Sequence, residues 1–222
     1  MRNKVTSLIA VRSGSKRAPR KNIRPFGDTS LLEIKIRQAM RIGSIDEVVV
    51  SSDDTVMLDL CRSLGATPHE RDPHYASDTV PMGDVYSYLA KELDTEHVVW
   101  MPVTSPLVED KTVEKCIEVY QKGQHDSVVT VHSVREYLWQ DGVSINYDSK
   151  NHPRSQDLPN IYALNFAVNV LSKKLMIEKR NIIGDNHYPY MLEGFETVDI
   201  DDEKDFLLAE ILYKMEKSSA NS

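Results

Sequence analysis

The sequence has few of the residues that stabilise small secreted or membrane-bound proteins. Its 222 residues include two cysteines, Cys61 and Cys116, which allow one disulfide at most and form no Cys-x-x-Cys pair. A reducing, cytoplasmic location without a structural zinc ion is therefore expected. No apolar stretch approaches the roughly 20 residues that span a membrane, so no membrane association is predicted. The apolar run at residues 5–11 meets Arg12 without a cleavage site and is interpreted as a first strand, not a signal peptide.

Basic residues are fewer than acidic residues, but several of them are concentrated in one short segment. Lys and Arg number 27 against 34 Asp and Glu, a formal net charge of −7. This balance argues against a nucleic-acid-binding protein whose whole surface attracts phosphate. Residues 12–24 nevertheless hold six Lys and Arg and no acid, while residues 199–205 hold five acids and one Lys. The two segments suit a triphosphate and its metal ion, and two solvated faces are the alternative.

Apolar runs alternate with amphipathic segments along most of the chain. Strands are predicted at 5–11, 47–52, 66–69, 97–103, 127–134, 161–170 and 197–200, and helices at 31–42, 54–64, 82–93, 112–122 and 202–215. Such alternation predicts an α/β fold, a single Rossmann-like domain over residues 1–216 with a mostly parallel sheet and helices on both faces. Residues 135–160 carry aromatic and turn residues without helical periodicity, which favours a dimerisation excursion from the sheet, such as a hairpin that lies on a partner subunit. Residues 217–222 are predicted to be a disordered tail.

A basic loop, residues 12–22, follows the first predicted strand. The turn after that strand is the usual phosphate site in an open parallel sheet. Gly14 lets successive backbone N–H groups converge on an anion, and arginine grips phosphate oxygens in bidentate fashion. The spacing fits neither a Walker A loop nor a Gly-x-Gly-x-x-Gly motif. A merely solvated loop is the alternative. The predicted nucleotide-binding residues of the loop are Arg12, Ser13, Gly14, Ser15, Lys16, Lys21 and Asn22.

This loop resembles the amino-terminal motif of the cytidylyltransferases that activate acidic sugars, Arg-x-x-Ser-Lys-x-x-Pro-x-Lys-Asn. The similarity is closest to the acylneuraminate branch, which is related to the 3-deoxy-manno-octulosonate enzymes, and it runs through most of the chain. The resemblance implies that Arg12 and Lys21 hold the triphosphate of CTP and stabilise charge in the transition state, while Ser15 and Asn22 assist. The matching positions are Arg12, Ser15, Lys16, Pro19, Lys21 and Asn22.

A second segment resembles the part of that family that lies against the cytosine and ribose. It comprises Arg71 and the run Ala-Ser-Asp-Thr at residues 76–79. The resemblance implies that Arg71 reads the pyrimidine, because a guanidinium offers two parallel donors, and that Ser77 and Asp78 contact the nucleotide. A surface ion pair is the alternative for Arg71, and N-caps of the following helix are the alternative for Ser77 and Asp78.

The acidic segment predicts a magnesium site. Residues two apart on a strand face the same side, so Asp199 and Asp201 can converge on one cation. Mg²⁺ takes one or two carboxylates and completes its shell with phosphate oxygens and water. The same family carries Asp-Ile-Asp near its carboxyl end, which supports these two ligands. The alternative is that Asp201 or Asp202 caps the helix that follows.

The acceptor side matches the family less well. Residues 104–107, Thr-Ser-Pro-Leu, resemble its Gln-Pro-Thr-Ser-Pro-Leu, but Pro102 and Val103 replace the first two positions. Ala163 stands where the family has an arginine for the sugar carboxylate, and Phe166 stands where it has glycine. Arg135 or Arg154 replaces that arginine, or the acceptor is not a sialic acid. The resemblance places Thr104, Ser105 and Asn165 at the acceptor.

The function that these patterns predict is attack by an acceptor oxygen on the α-phosphorus of CTP, with Mg²⁺ and release of pyrophosphate. The partners expected are CTP, a small acidic acceptor such as a sialic-acid-like 2-keto sugar acid, and a second copy of the chain in a homodimer. Two alternatives stay open: a cytidylyltransferase for another acid or phosphorylated metabolite, and a catalytically silent nucleotide-binding subunit. Release of pyrophosphate with a panel of acceptors separates them.

Overall fold

The computed structural model describes residues 3–14 and 18–220, the last two in backbone only. The predicted phosphate ligands Ser15 and Lys16 lie outside the described residues. Seven strands form one sheet in the order β3-β2-β1-β4-β8-β5-β9, in which β8 alone runs antiparallel to its neighbours. The strands are β1 (Val5–Ala10), β2 (Glu47–Ser52), β3 (Thr67–Glu70), β4 (His97–Trp100), β5 (Ser127–Val134), β6 (Trp139–Gln140), β7 (Val143–Ser144), β8 (Ile161–Ser172) and β9 (His187–Met191).

Helices cover both faces of the sheet, as predicted. One core cluster joins α1, α2, α5 and α7 to side chains such as Ile9 and Val50, and the other joins α4 and α6 to Leu8 and Val49. Neighbouring strand residues point to opposite faces, so strands that are apolar throughout can supply both cores. The helices are α1 (Leu31–Arg41), α2 (Thr55–Ser63), α3 (Pro73–Ala76), α4 (Met82–Glu92), α5 (Asp110–Gln121), α6 (Lys173–Lys179) and α7 (Glu203–Ala220).

Some of the acidic residues cap helices, which separates them from the acidic residues that can serve a ligand site. The carboxylate of Asp54 accepts from the backbone N–H of residue 56 at 2.8 Å, and that of Asp202 accepts from residues 204 and 205 at 2.9 and 3.0 Å. Helix α4 begins after Pro81 with no side-chain cap. The interpretation of Ser77 and Asp78 as caps of α4 is therefore wrong, and Asp202, not Asp201, caps α7.

Several element boundaries differ from the sequence predictions. Residues 197–200 are not a strand: a 3₁₀ helix at Gly194–Thr197 leads into extended chain whose Ile200 N–H donates to Thr104 O at 2.8 Å. One backbone bond to the loop after β4 is not the repeated hydrogen bonding that defines a β-strand. Helix α7 continues to Ala220, beyond the predicted end at residue 215, because no Gly or Pro interrupts it. Strand β9 was missed, since it is an edge strand interrupted by Pro189.

Residues 135–160 leave the main sheet. Strands β6 and β7 pair only with each other, as a short hairpin. The side chain of Asn146 holds the base of this hairpin, accepting from Leu138 N–H and donating to Glu136 O, both at 2.8 Å. Across the described part of the chain, helices long and apolar enough to cross a membrane were not found.

A buried lysine on α1 makes the stability of the fold depend on pH. Lys35 is completely buried, and this burial lowers its pKa to about 7. Because the unfolded lysine keeps its proton up to about pH 10.4, the unfolded chain binds more protons between roughly pH 7 and 10. The free energy of unfolding should therefore rise with pH in this window, by at most about 1.4 kcal/mol per pH unit.

Urea unfolding of the wild type and of Lys35→Met at pH 7.5 and pH 9 measures this term. The variant lacks the titrating group, so the difference in unfolding free energy between the two proteins should shift in favour of the wild type at the higher pH. A difference that does not change with pH would contradict the lowered pKa.

Candidate active site

Two adjoining cavities lie at the carboxyl ends of β1 and β4, where an open parallel sheet binds ligands. The first, about 490 Å³, is bordered by the basic loop, by residues 102–104 after β4, and by Asp201. We call it the loop cavity. The second, about 310 Å³, is bordered by Arg71, by residues 75–78 and by Trp100, and we call it the Arg71 cavity. Both are lined by Ala10, Val11, Arg12 and Asp78, so they form one cleft with two compartments.

Arg12 stands between the two compartments. Its guanidinium Nη1 lies 2.5 Å from a carboxylate oxygen of Asp78 and donates to Ala76 O at 3.1 Å. The backbone carbonyl of Arg12 accepts from the side-chain amide of Asn22 at 3.1 Å. The predicted nucleotide-binding residues Arg12, Asn22 and Asp78 are thus brought together. Because Asp78 pairs with Arg12, an incoming phosphate must share this guanidinium or displace the carboxylate.

Ser13 and Lys21 of the basic loop are bonded to neighbouring segments. Lys21 reaches across the loop cavity, and its Nζ donates to Ile200 O at 2.6 Å. Ser13 donates to the carboxylate of Asp53 from both its backbone N–H, at 3.0 Å, and its hydroxyl, at 2.8 Å. Gly14 lines the cavity, and a Cβ built there would meet no atom within 4 Å. The ammonium group of Lys21 therefore joins the basic loop to the acidic segment.

The acidic segment carries two neighbouring carboxylates. Asp199 accepts from the hydroxyl of Ser105 at 3.3 Å and from the hydroxyl of Thr104. Burial is the main cause that raises the pKa of Asp199, and the charge of Asp201 raises it further, while the bond from Thr104 and the charge of Lys21 lower it. Although the segment is not the predicted strand, its extended chain still brings the two carboxylates close together.

These carboxylates suit a hard cation whose remaining ligands are supplied by a substrate and by water. Among the described residues, no group of three or more His, Cys, Asp or Glu is placed to hold a metal ion. Mg²⁺ needs only one or two carboxylates when phosphate oxygens and water complete its shell. Asp201 lines the loop cavity and Asp199 lies beside Thr104 at its border. The donor set therefore suits a metal bound together with a triphosphate.

Arg71 is a buried residue, not a partner in a surface ion pair. Its side chain is 5 % exposed, and its Nε and Nη2 donate to the hydroxyl and the carbonyl of Ser51 at 3.0 and 2.7 Å. Burial lowers its pKa to about 10, so the guanidinium stays charged at neutral pH. The two bonds to Ser51 leave further N–H donors of the guanidinium for a ligand in the Arg71 cavity. Sequence reasoning missed Ser51, which lies within β2 and meets Arg71 only in the folded chain.

A substitution of Arg71 tests the prediction that its guanidinium recognises the base of the nucleotide. Cytosine presents two adjacent acceptors, O2 and N3, whereas uracil carries a hydrogen on N3, and only a guanidinium offers two parallel donors. Arg71→Lys should raise the KM for CTP about 10- to 100-fold, as a lost charge-assisted bond would, and narrow the preference for CTP over UTP. Steady-state kinetics with both nucleotides measures this. Arg62→Lys on the exposed face of α2 is the matched control, and an unchanged CTP preference in Arg71→Lys would contradict the assignment.

Of the remaining predicted site residues, Ser77 and Thr104 line the cleft, whereas Ser105 and Asn165 line neither cavity. Ser77 lines the Arg71 cavity and donates to His74 O at 2.8 Å, and Thr104 lines the loop cavity. Ser105 and Asn165 are buried; the amide of Asn165 donates to Thr197 O at 2.9 Å, so both side chains support the acidic segment. Contact of Thr104, Ser105 and Asn165 with the acceptor stays a prediction.

Comparison with known proteins agrees with this arrangement. Residues 6–210 match the family described as Cytidylyltransferase. The pseudaminic acid cytidylyltransferase of Campylobacter jejuni (strain 81-176) is 30 % identical over 96 % of this chain and 97 % of its own length. The CMP-N,N'-diacetyllegionaminic acid synthase of Legionella pneumophila is 25 % identical over 97 % of this chain and 99 % of its own length. An N-acylneuraminate cytidylyltransferase of Streptococcus agalactiae is 25 % identical over 90 % of this chain but 51 % of its own length.

Solved structures share the fold. The structure of CMP:2-keto-3-deoxy-manno-octonic acid synthetase complexed with CTP superposes with a TM-score of 0.72, covering 96 % of this chain and 99 % of that one at 12 % identity. The 4-diphosphocytidyl-2C-methyl-D-erythritol synthase of Anaerococcus prevotii gives 0.70 over 96 % and 99 % of the two chains, at 15 % identity. With the family match over residues 6–210, the cleft and its basic loop identify the chain as a member of the cytidylyltransferase family.

Proposed function

We propose that this chain transfers CMP from CTP to an acidic sugar and releases pyrophosphate. The observation that carries the proposal is the bond from Lys21 Nζ to the carbonyl of Ile200, the residue between Asp199 and Asp201 in the sequence, which brings a cation of the basic loop to the acidic segment. A triphosphate and a divalent cation attract each other and need such opposed charges around one cavity. The Arg71 cavity beside it offers a separate compartment for the base and ribose.

The proposed reaction is a direct displacement. The acceptor hydroxyl oxygen forms a bond to the α-phosphorus and loses its proton to water, the bond from that phosphorus to the bridging oxygen of the β-phosphate breaks, and pyrophosphate leaves. Such chemistry needs positioning and charge stabilisation more than a covalent intermediate. Arg12 and Lys21 would stabilise the negative charge on the phosphate oxygens in a partly enclosed cleft. Mg²⁺, held by Asp199 and Asp201, would supply further positive charge when bound.

The acceptor proposal rests on the relatives, and the chain around Phe166 departs from their pattern. The named relatives act on pseudaminic acid, N-acylneuraminate and N,N'-diacetyllegionaminic acid, all of them acidic sugars. In this chain Phe166 has a left-handed backbone, with φ at +59°, beside a register shift between β5 and β8. Such a conformation is strained for a bulky residue and is typical of functional sites. Because the sequence resemblance has a glycine at this position, we expect the acceptor side of this chain to differ from that of the acylneuraminate enzymes.

The direct test is pyrophosphate release from CTP across a panel of acids. Pseudaminic, N-acetylneuraminic, legionaminic and 3-deoxy-manno-octulosonic acids represent the sugars, and phosphorylated small alcohols represent other acceptors. We expect release with at least one of the sugar acids. Tight CTP binding without release for any acceptor would indicate a silent nucleotide-binding subunit, and release with non-sugar acceptors alone would reject the acidic-sugar assignment.

We also propose a cytoplasmic homodimer. Both cysteines are buried and unpaired, which suits a reducing compartment. Exposed apolar side chains concentrate on the hairpin excursion and on one face of β8, namely Tyr137, Trp139, Val143, Ile145, Tyr162, Leu164 and Phe166. Two such surfaces would bury each other in a symmetric contact. Light scattering after size exclusion should give twice the 25.3 kDa chain mass, and Ile145→Glu should give monomers, whereas Val56→Glu on α2 should not.

A further inference from the structure

Lys35 is a fully buried lysine that the proposed reaction does not use. It lies on the inner face of α1 with no exposed surface, and its Nζ makes two bonds of 2.8 Å, to the side-chain carbonyl of Gln38 and to the backbone carbonyl of Ser105. A buried amine is costly unless its hydrogens are bonded. A neutral amine has two N–H donors, which match these two acceptors.

The bond to Ser105 ties α1 to the loop that holds the acidic segment. The hydroxyl of Ser105 donates to Asp199 at 3.3 Å, and the carbonyl of Thr104 accepts from the N–H of Ile200 at 2.8 Å. Gln38 fixes the next turn of the same loop through Val108 O at 2.5 Å. The route from Lys35 to the carboxylate of Asp199 therefore consists of two hydrogen bonds and one residue, Ser105.

We propose that Lys35 is a positioning residue for metal binding, because its bond to the Ser105 carbonyl sets the position from which the Ser105 hydroxyl holds Asp199. This inference rests on the proposed function, in which Asp199 is a ligand of Mg²⁺. Partners that hold a metal ligand in place commonly change metal affinity 10- to 100-fold when they are lost. Lys35 touches neither substrate nor metal and acts through Ser105.

A substitution that keeps the volume of Lys35 but removes its two donors distinguishes this role from simple filling of the core. A methionine occupies nearly the same volume as lysine and suits the apolar side chains beside it on α1, Leu31, Leu32 and Ile36. Lys35→Met would keep the packing and remove the two donors. The Ser105 carbonyl would then lose its buried partner, and the loop at residues 104–105 would be free to shift towards another donor.

Mn²⁺ binding to the full chain in the presence of a non-hydrolysable CTP analogue, followed by the electron paramagnetic resonance of the free ion and compared with the analogue alone, tests the proposal, because phosphate oxygens complete the metal's shell. Lys35→Met should bind Mn²⁺ about 10-fold more weakly than the wild type and need about 10-fold more Mg²⁺ for half-maximal turnover. Ile36→Ala, a buried change next in the sequence, is the control: it should lower Tm while leaving the Mn²⁺ affinity within about twofold. If Lys35→Met does not fold, Lys35→Leu, which also removes both donors, takes its place with the same expectation of weakened Mn²⁺ binding.

A double-variant comparison shows whether the effect passes through Ser105. If it does, Lys35→Met combined with Ser105→Ala should weaken Mn²⁺ binding little more than either change alone. The proposal would be overturned if the losses of Mn²⁺ affinity in the two single variants were fully additive in the double variant. A Lys35 variant with lowered Tm and wild-type Mn²⁺ affinity would also overturn it. Asp199→Asn separates this failure from that of the proposed function: if it binds Mn²⁺ like the wild type, the metal site itself is misassigned and the role of Lys35 falls with it.

Discussion

Lys21→Ala is expected to lower kcat about 1,000-fold without unfolding the protein. Lys21 is the cation of the basic loop that reaches Ile200 O, beside both candidate metal ligands. Its charge would be most valuable when negative charge grows on the phosphate oxygens in the transition state. Removing one pre-organised donor at such a position commonly costs about 100- to 1,000-fold in rate, and phosphoryl-transfer cations reach the upper end of this range or beyond.

The measurement is single-turnover kinetics with CTP and the best acceptor of the panel, together with thermal unfolding. Arg24→Ala is the matched control, since Arg24 belongs to the same stretch of the chain but pairs with Glu203 on α7, outside both cavities. It should keep kcat within a few-fold and lose some stability instead. A Lys21→Ala enzyme with near-normal kcat would refute the role of Lys21.

Asp199→Asn is expected to lower kcat/KM by about 1,000-fold and to abolish Mn²⁺ binding. The amide keeps the size of the side chain and its bonds to the hydroxyls of Thr104 and Ser105 but removes the negative charge. A bound metal ion contributes several kcal/mol of charge stabilisation, which corresponds to losses of this order. The dependence of rate on Mg²⁺ concentration and Mn²⁺ titration of the variant give two independent readouts.

Asp202→Asn provides the control for this change. Asp202 lies in the same segment but caps α7 through bonds to the N–H groups of residues 204 and 205. Asparagine caps helices about as well as aspartate, so stability and activity should stay close to those of the wild type. Equal losses of activity in Asp199→Asn and Asp202→Asn would point to the net charge of the segment, and not to a specific metal ligand.

The sequence predicted the fold where local pattern and tertiary structure agree. Apolar runs at β1, β2 and β5 are buried on both sheet faces, so their composition alone identified them. Strand β9 joins the sheet at its edge with the sequence His-Tyr-Pro-Tyr-Met, which carries neither alternation nor an apolar run. Its place depends on pairing with β5, a long-range contact that no local pattern reports.

The sequence predicted the part of the candidate site whose residues lie close together in the chain. Arg12, Lys21 and Asn22 belong to one short motif and lie around one cleft. Lys35 was not noticed, although it falls three and four residues after Leu32 and Leu31 on the apolar face of α1, a spacing that signals burial. Its partner Ser105 is 70 residues away, and this contact exists only in the folded chain.

The central claim, cytidylyl transfer by attack on the α-phosphorus, is tested most directly by ³¹P nuclear magnetic resonance of a reaction with CTP, Mg²⁺ and an acidic sugar. The account predicts that the three CTP resonances are replaced by a phosphodiester resonance of the CMP-sugar and an equimolar resonance of pyrophosphate. Formation of CDP with orthophosphate or with a phosphorylated sugar would contradict it, because those products require attack at the γ-phosphorus.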